Sequence, residues 1–382
     1  MHICIVGGAL QGMEAVSLSK ALGMFTTVID RDSNAPALSL ADEAVVADVI
    51  TDRGIVESVI ERCDAVIPAN EDDDCLEALC YIMGRYNIPF LFDPNAYSIS
   101  SSKIRSNILM NDLGLPLPRP WPECGYPAVV KPSSMSGSIG VSVVRNDEER
   151  MIAEGKVRDM GDEPVVQEYV RGINISVEVT RMDGVCKGHT VTEVVLDEGY
   201  DCKMVRCGPG LVPKRIEDDF RRDAERIADA MDLHGIMDLE GIFDGEGYRL
   251  LEIDARIPSQ TPLAILTASG PNLIGEMLHM DNSKKELSYS IYEHFTVKDG
   301  YLYTNGEKEF SKIRRPRFEK GLFGTDYAIT DYSEGSCEWR MTAMYRADSM
   351  EGLDERHRTV TETIIERCRL KGCIDRSPEE TA

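Results

Sequence analysis

Met237-Asp238-Leu239-Glu240-Gly241-Ile242-Phe243 runs into a glycine turn, Asp244-Gly245-Glu246-Gly247, and returns as Tyr248-Arg249-Leu250-Leu251-Glu252-Ile253-Asp254-Ala255-Arg256. Two apolar runs about such a turn predict an antiparallel hairpin. Residues on one face of the pair meet across the ladder, so Glu240 and Glu252 are expected to converge. Period two puts Asp254 on the face of Glu252, with Arg256 next along it. Three carboxylates on an apolar hairpin are costly to desolvate unless a cation pairs them. Magnesium takes one or two carboxylates plus substrate phosphates, so Glu240, Glu252 and Asp254 read as metal ligands. Arg256 suits the stabilisation of charge developing on a transferring phosphoryl group or a tetrahedral oxyanion. The bland alternative is a surface hairpin of alternating charge.

A second phosphate signature lies upstream. Tyr126-Pro127-Ala128-Val129-Val130-Lys131-Pro132 is an apolar strand that delivers a lysine, and Ser133-Ser134-Met135-Ser136-Gly137-Ser138-Ile139-Gly140-Val141 follows as a Ser/Gly loop. Such a loop offers N–H groups and hydroxyls to phosphate oxygens, although Ser/Gly hairpin tips are common on their own. A third block, Pro164-Val165-Val166-Gln167-Glu168-Tyr169-Val170-Arg171-Gly172, reads as a strand leading into a turn whose backbone could pair with an adenine edge.

The chain around these blocks has 382 residues, which suits two or three packed domains. It is 42% hydrophobic and 28% charged, the balance of a globular protein. A formal charge of −24 speaks against a nucleic-acid partner. No apolar run is long enough for a transmembrane helix, and the N-terminus lacks the blocks of a signal peptide. The 11 cysteines are odd in number and lack zinc-type spacing. They are expected to be reduced, in a cytoplasmic protein.

The first hundred residues alternate strands (Ile3–Val6, Thr26–Ile29, Ala44–Val46, Ala65–Pro68, Phe90–Phe92) with helices (Glu14–Leu22, about Asp73–Met83), predicting a Rossmann-like parallel sheet. Its first turn, Val6-Gly7-Gly8-Ala9-Leu10-Gln11-Gly12, could hold an anion at a helix N-terminus. Asp30 ends the second strand, where a dinucleotide fold places its ribose carboxylate. A nicotinamide-dependent oxidoreductase is therefore a rival, although the spacing is not GxGxxG; a tight turn without ligand is another. Asp72 to Asp74 read as a helix cap, and Glu71 as a ligand for a cationic group.

A serine-rich boundary at Ser98–Ser102 precedes a helix over Lys103–Leu113. The expected domains are 1–98, 99–170 and 171–382. Within the last, a β-rich region runs from Val165 to Leu196 and a helix covers Asp218–Met231. Beyond Ile291 short strands and turns alternate, with Arg376–Ala382 as a frayed tail. Phe323, Tyr327 and Trp339 suggest that part of this segment returns as strands onto the preceding lobe.

The three blocks, in this order over residues 100–265, resemble the ATP-grasp superfamily. The resemblance implies a two-lobed ATP-grasp fold, with ATP and two magnesium ions as cofactors. It implies Lys103 and Lys131 on the phosphates, Glu168 and Val170 at the adenine, and Glu240 and Glu252 on magnesium. Ser138, Tyr169 and Leu239 complete the expected nucleotide set. Asp254 departs from the asparagine common in the superfamily. Further stretches, among them Leu10-Gln11-Gly12, Tyr200-Asp201-Cys202-Lys203-Met204-Val205 and Arg256-Ile257-Pro258-Ser259-Gln260-Thr261-Pro262, resemble the PylC ligases of pyrrolysine biosynthesis. That family joins the carboxylate of 3-methyl-D-ornithine to the side-chain amine of L-lysine. The resemblance implies Ser176, Val177, Glu178 and Asp201 for the ornithine-like substrate, with Arg256, Ser259 and Thr261 at its carboxylate. It implies Leu10, Gln11 and Glu71 for lysine. Asp201 could equally cap a turn and Ser176 could be a plain strand residue. Arg256 and Lys131 are the expected catalytic groups, while Glu71 and Asp238 are the candidates for a base toward the amine. Another ATP-grasp amino-acid ligase, such as a dipeptide ligase, is the nearest rival.

Overall fold

The computed structural model describes residues 1–280 and 286–378. The first unit contains β1 (His2–Val6), α1 (Leu10–Ala21), β2 (Phe25–Asp30), β3 (Glu43–Val46), α2 (Arg53–Ile60), β4 (Ala65–Pro68) and α3 (Asp73–Met83). Its four strands are parallel, in the order β3-β2-β1-β4. Asp72 caps α3 by accepting from Cys75 N, and Asp73 and Asp74 fill the first turn, where carboxylates complement the helix dipole. Phe90–Phe92 supplies only an isolated bridge, Val66 to Phe90, in place of the expected fifth strand.

The serine-rich stretch is helical: α4 (Pro94–Ser100) is capped by Asp93, and Ser102 caps α5 (Lys103–Asp112). Ser102 Oγ accepts from the free Arg105 N–H, whereas Ser98 and Ser100 donate to carbonyls one turn back in α4.

Next come β5 (Ala128–Pro132), β6 (Ser142–Val144), α6 (Asp147–Asp159) and β7 (Pro164–Glu168), with the strands forming a small antiparallel sheet in the order β6-β5-β7. The remaining strands make one 12-stranded sheet among the described residues. It starts with β8 (Ile173–Met182), β9 (Val185–Gly188), β10 (Thr192–Leu196) and β11 (Cys202–Cys207), followed by α7 (Lys214–Ala230) and the hairpin β12 (Gly235–Phe243) and β13 (Tyr248–Asp254). Helices α8 (Thr261–Thr267) and α9 (Leu273–Met277) lead to β14 (Tyr289–Lys298), β15 (Tyr301–Thr304), α10 (Glu307–Phe310), β16 (Arg317–Lys320), β17 (Tyr327–Thr330), β18 (Trp339–Ala347), α11 (Met350–Cys368) and β19 (Cys373–Asp375).

The C-terminal segment does return onto the preceding lobe, because β14 pairs with β11 and extends the sheet through β18, β17 and β16. It is not merely short strands and turns, since β14 has 10 residues, β18 has 9 and α11 has 19. Phe323 stacks on Trp339 inside its core. Of the expected frayed tail, residues 379–382 lie outside the described residues, while Arg376 and Ser377 are tied to the body of the protein.

Helix α1 fixes the first unit to the large sheet. Leu263 N, at the start of α8, donates to the buried Glu14 carboxylate (2.6 Å), and Asn272 Nδ2 donates to Leu18 O (2.8 Å). The C-terminal ends of β1 and β4 are thereby held beside the β12/β13 hairpin.

Candidate active site

The register of the hairpin pairs Glu240 with Glu252 and Asp238 with Asp254. All four carboxylates therefore occupy one face, and that face lines a cavity of about 750 Å³. A bulge after Glu240 sets the extra residue Leu251 in β13, and its carbonyl accepts from Lys131 Nζ (3.3 Å). Lys103 Nζ reaches Glu252 Oε2 at 3.0 Å and Met135 O at 2.8 Å. Arg256 Nη2 lies 2.7 Å from Glu71 and 3.1 Å from Asp254.

Burial and mutual charge set the ionisation of this group. Burial, with Glu252 and Asp254 beside it, pushes the Glu240 carboxyl up to about 8. Burial also lifts Asp254, to about 6, against the pull of Arg256. For Glu252 burial is outweighed by Lys103 and Lys131, which hold it below the ordinary value. Burial lowers Lys131, whereas the neighbouring carboxylates, Glu252 above all, more than offset burial at Lys103. For Arg256 the flanking Asp254 and Glu71 overcome the effect of burial and keep it protonated.

Among the described residues no three His, Cys, Asp or Glu side chains close around one point as a metal cage. Glu240 and Glu252 face each other across the hairpin, and Asp254, the expected third ligand, lies beside them and is paired with Arg256. Two carboxylates with open positions fit magnesium, which keeps waters and substrate phosphates in its shell.

The loop after β5 closes over the cavity. Ser138 has a positive φ of 56° and donates to Tyr200 O (2.6 Å), while Ser136 Oγ donates to Glu71. Glu168, Tyr169 and Val170 line the same cavity where β7 ends. Glu168 is also paired with Arg119 (2.7 Å).

Several buried polar atoms have no hydrogen-bond partner: Ser176 Oγ, both oxygens of Glu178, Asp238 Oδ1, Arg256 Nε and Thr261 Oγ1. Buried polar groups are nearly always satisfied, so such a cluster of exceptions is a candidate docking place for a polar ligand. Burial raises Glu178 to about 7 despite the nearby hydroxyls of Thr261 and Ser176. Burial, with Asp254 opposite, raises Asp238 well above the ordinary range. Asp238, Asp201, Ser259 and Thr261 line the cavity. The capping role weighed for Asp201 is realised as well, because its Oδ2 accepts from Lys308 N (2.8 Å) in the first turn of α10.

Ser176 and Glu178 stand on β8 beside Glu240 and Asp238 but do not line the cavity, and three further expected residues sit elsewhere. Leu239 and Val177 are fully buried on the opposite faces of their strands, packed against α7, because strand neighbours alternate in direction. Leu10 packs on the core beneath α1. Gln11 Nε2 donates to Glu71 Oε1 (2.8 Å), so these two meet at the Arg256 end of the site.

Sequence reasoning missed Glu307 and Gln260. Glu307 opens α10, is half-buried at the cavity wall and accepts from Gln260 Nε2 (2.8 Å) and Ser259 Oγ (3.2 Å). Burial, with Asp201 nearby, raises its carboxyl above the ordinary value. Gln260 holds an uncommon backbone conformation (φ 76°, ψ −53°) between the cavity residues Ser259 and Thr261, and such strain concentrates at functional sites. The glycine turn of the first unit explains itself by packing. A Cβ on Gly7 would lie 2.3 Å from Ala69 O, and one on Gly12 would lie 2.2 Å from Gly7 O. Asp30 accepts from Gly8 N (2.6 Å) and Asp32 N (2.7 Å), so its carboxylate is used locally. The nicotinamide reading loses its support.

Comparison with known proteins agrees with this geometry. An ATP-grasp domain model matches residues 100–260. The chain is 36% identical over 317 residues to 3-methyl-D-ornithine–L-lysine ligase of Methanosarcina barkeri, covering 81% of this chain and 84% of that one. The Methanosarcina mazei protein of the same name is 34% identical, covering 81% and 82%. In fold the chain is similar to N5-carboxyaminoimidazole ribonucleotide synthetase from Thermus thermophilus, with a TM-score of 0.70 at 18% identity, covering 94% and 98%. It is likewise similar to biotin carboxylase from Campylobacter jejuni, with a TM-score of 0.71 at 16% identity, covering 95% and 91%. The chain belongs to the 3-methyl-D-ornithine–L-lysine ligase family of ATP-grasp enzymes.

Proposed function

We propose that this ATP-grasp ligase phosphorylates the carboxylate of 3-methyl-D-ornithine, or of D-ornithine, with ATP and transfers the acyl group to the side-chain amine of L-lysine. ADP and phosphate leave, and the amide is an intermediate of pyrrolysine biosynthesis in the cytoplasm. One observation carries the reading: the unpartnered Asp238 carboxylate oxygen and Thr261 hydroxyl share a cavity with Lys103, Lys131 and the Glu240/Glu252 pair. A diamino acid brings both ammonium groups and a carboxylate, the complement of such a wall.

In this reading the nucleotide lies between the 99–170 and 171–382 lobes, with Glu168, Tyr169 and Val170 at the base. Lys103 and Lys131 hold its phosphates, and the loop through Ser138 covers them and excludes water. Two magnesium ions on Glu240 and Glu252 would neutralise phosphate charge. Arg256, with Ser259 and Thr261, orients the substrate carboxylate toward the γ-phosphate and later steadies the tetrahedral oxyanion. Ser176, Glu178 and Asp201, joined by Glu307, bind the ammonium groups of the acid. Gln11 and Glu71 hold lysine at the Arg256 end, and Glu71 or Asp238 takes a proton from the attacking amine. Catalysis is then largely positioning and electrostatics.

The test is incubation with ATP, magnesium, D-ornithine and L-lysine, separately and together, with mass detection. A product lighter than the sum of the two amino acids by one water, formed only with both, supports the reading. Tight ATP binding with no amide would overturn the choice of acid and amine.

A further inference from the structure

Lys203 is 3% exposed, and its ammonium group is spent on the C-terminal segment. Nζ pairs with Asp375 Oδ1 and donates to Arg376 O (3.1 Å) and Ser377 Oγ (3.1 Å). A buried lysine needs each of its three donors satisfied, and here one short stretch of chain satisfies all of them. The stretch is held from other sides as well. Strand β19 pairs with β15, Thr304 Oγ1 donates to Asp375 Oδ1 (2.7 Å), and Arg376 pairs with Glu198 (2.7 Å). Pro378, the next residue but one, is part of the cavity wall.

What this segment braces is the 197–200 turn, the surface on which the phosphate loop lands. Glu198 pairs with Arg376 in a half-exposed ion pair, and Tyr200 O accepts from Ser138 Oγ (2.6 Å). Asp197, in the same turn, accepts from Gly306 N (2.9 Å), next to Glu307. A continuous series of contacts thus runs from Lys203 through residues 375–378 to the landing point of the loop.

We infer that Lys203 is a positioning residue: it clamps residues 375–378 as a strap that holds the 197–200 turn, so that the phosphate loop closes on a fixed wall and water stays away from the activated substrate. The inference rests on the acyl-phosphate chemistry proposed above. With the strap loosened, water adds at the acyl carbon and the bond to the phosphate oxygen breaks. The free carboxylate and phosphate return, and ATP is consumed without amide.

Two variants test it. Lys203→Met removes the buried charge together with its ties, and R376G/S377G/P378G loosens the strap at the surface while keeping Lys203. Phosphate released per amide formed is measured with D-ornithine and L-lysine, alongside hydrogen–deuterium exchange of a peptide spanning residues 196–202. The expected result is a threefold or greater rise in the phosphate-to-amide ratio and at least tenfold faster exchange of that peptide in the triple variant, with the same pattern in Lys203→Met if that variant folds. Unchanged exchange in the triple variant overturns the strap. Faster exchange with an unchanged ratio overturns its role in shielding. If the unaltered enzyme forms no amide from this pair, the substrate reading fails instead, and the exchange measurement still decides the strap.

Discussion

Lys103 Nζ lies 3.0 Å from Glu252 Oε2, and this contact divides two carboxylates that the hairpin places side by side. Glu252 is held ionised by the two lysines, whereas burial beside it pushes Glu240 up to about 8. A cation entering between them meets one carboxylate already charged and one that must lose a proton. Glu252→Ala should therefore lower ATP turnover by roughly 10²-fold or more, the scale of losing a main electrostatic group in a dry site. Steady-state phosphate release, with circular dichroism to confirm folding, checks this. Full activity would remove Glu252 from metal binding.

Arg256 serves Glu71 and Asp254 through one nitrogen, while Nε is buried without a partner. A lysine could supply the charge but not two directed donors at fixed separation. Arg256→Lys is expected to reduce kcat about 10²-fold, with a smaller change in KM for ATP. An activity within a factor of three of the parent would contradict the assignment.

Glu307 belongs to the proposed ammonium subsite, with Gln260 and Ser259 fixing its orientation. Glu307→Gln keeps shape and removes charge. The expected outcome is a rise of about tenfold in KM for the ornithine-type acid, the loss of one charge-assisted contact, with KM for ATP unchanged. An equal rise for both substrates would indicate a structural role.

The hairpin chemistry was legible because strand parity is a strong constraint: once Glu240 and Glu252 pair, Asp238 and Asp254 must share their face. The same parity turns Leu239 and Val177 to the far faces of their strands, into the core against α7. Glu307 carried no local signal. It stands on a four-residue helix moulded against Asp197 and Asp201, more than a hundred residues away, and a Cβ on Gly306 would lie 2.3 Å from the Asp201 carboxylate. The contact of Lys203 with the C-terminal segment is likewise tertiary. Long strands such as β14 carry little signal in sequence because buried residues fill both of their faces, which erases the alternation that marks a half-exposed strand.

Glu14 gives a prediction about stability. Burial raises its carboxyl from 4.5 to about 8, even with Leu263 N donating to it. Below about pH 4.5 it is protonated in both folded and unfolded chains and has no effect on the pH profile. Above that, the unfolded chain releases a proton that the folded chain keeps, so stability falls as pH rises, by up to about 4–5 kcal/mol near pH 8. Glu14→Gln abolishes this titration. Relative to the parent, its unfolding free energy from urea denaturation should improve by about 4 kcal/mol between pH 4.5 and pH 8. A difference that is the same at both pH values would contradict a raised Glu14.

The account turns on an acyl phosphate formed beside Arg256 and the two lysines. The most direct measurement supplies D-ornithine labelled with ¹⁸O in its carboxylate, together with ATP, magnesium and L-lysine, and reads the released phosphate by mass spectrometry. The account predicts one ¹⁸O atom in each phosphate, carried over from the carboxylate when the amine displaces it. Unlabelled phosphate accompanying amide formation, or release of AMP and pyrophosphate in place of ADP, would contradict it.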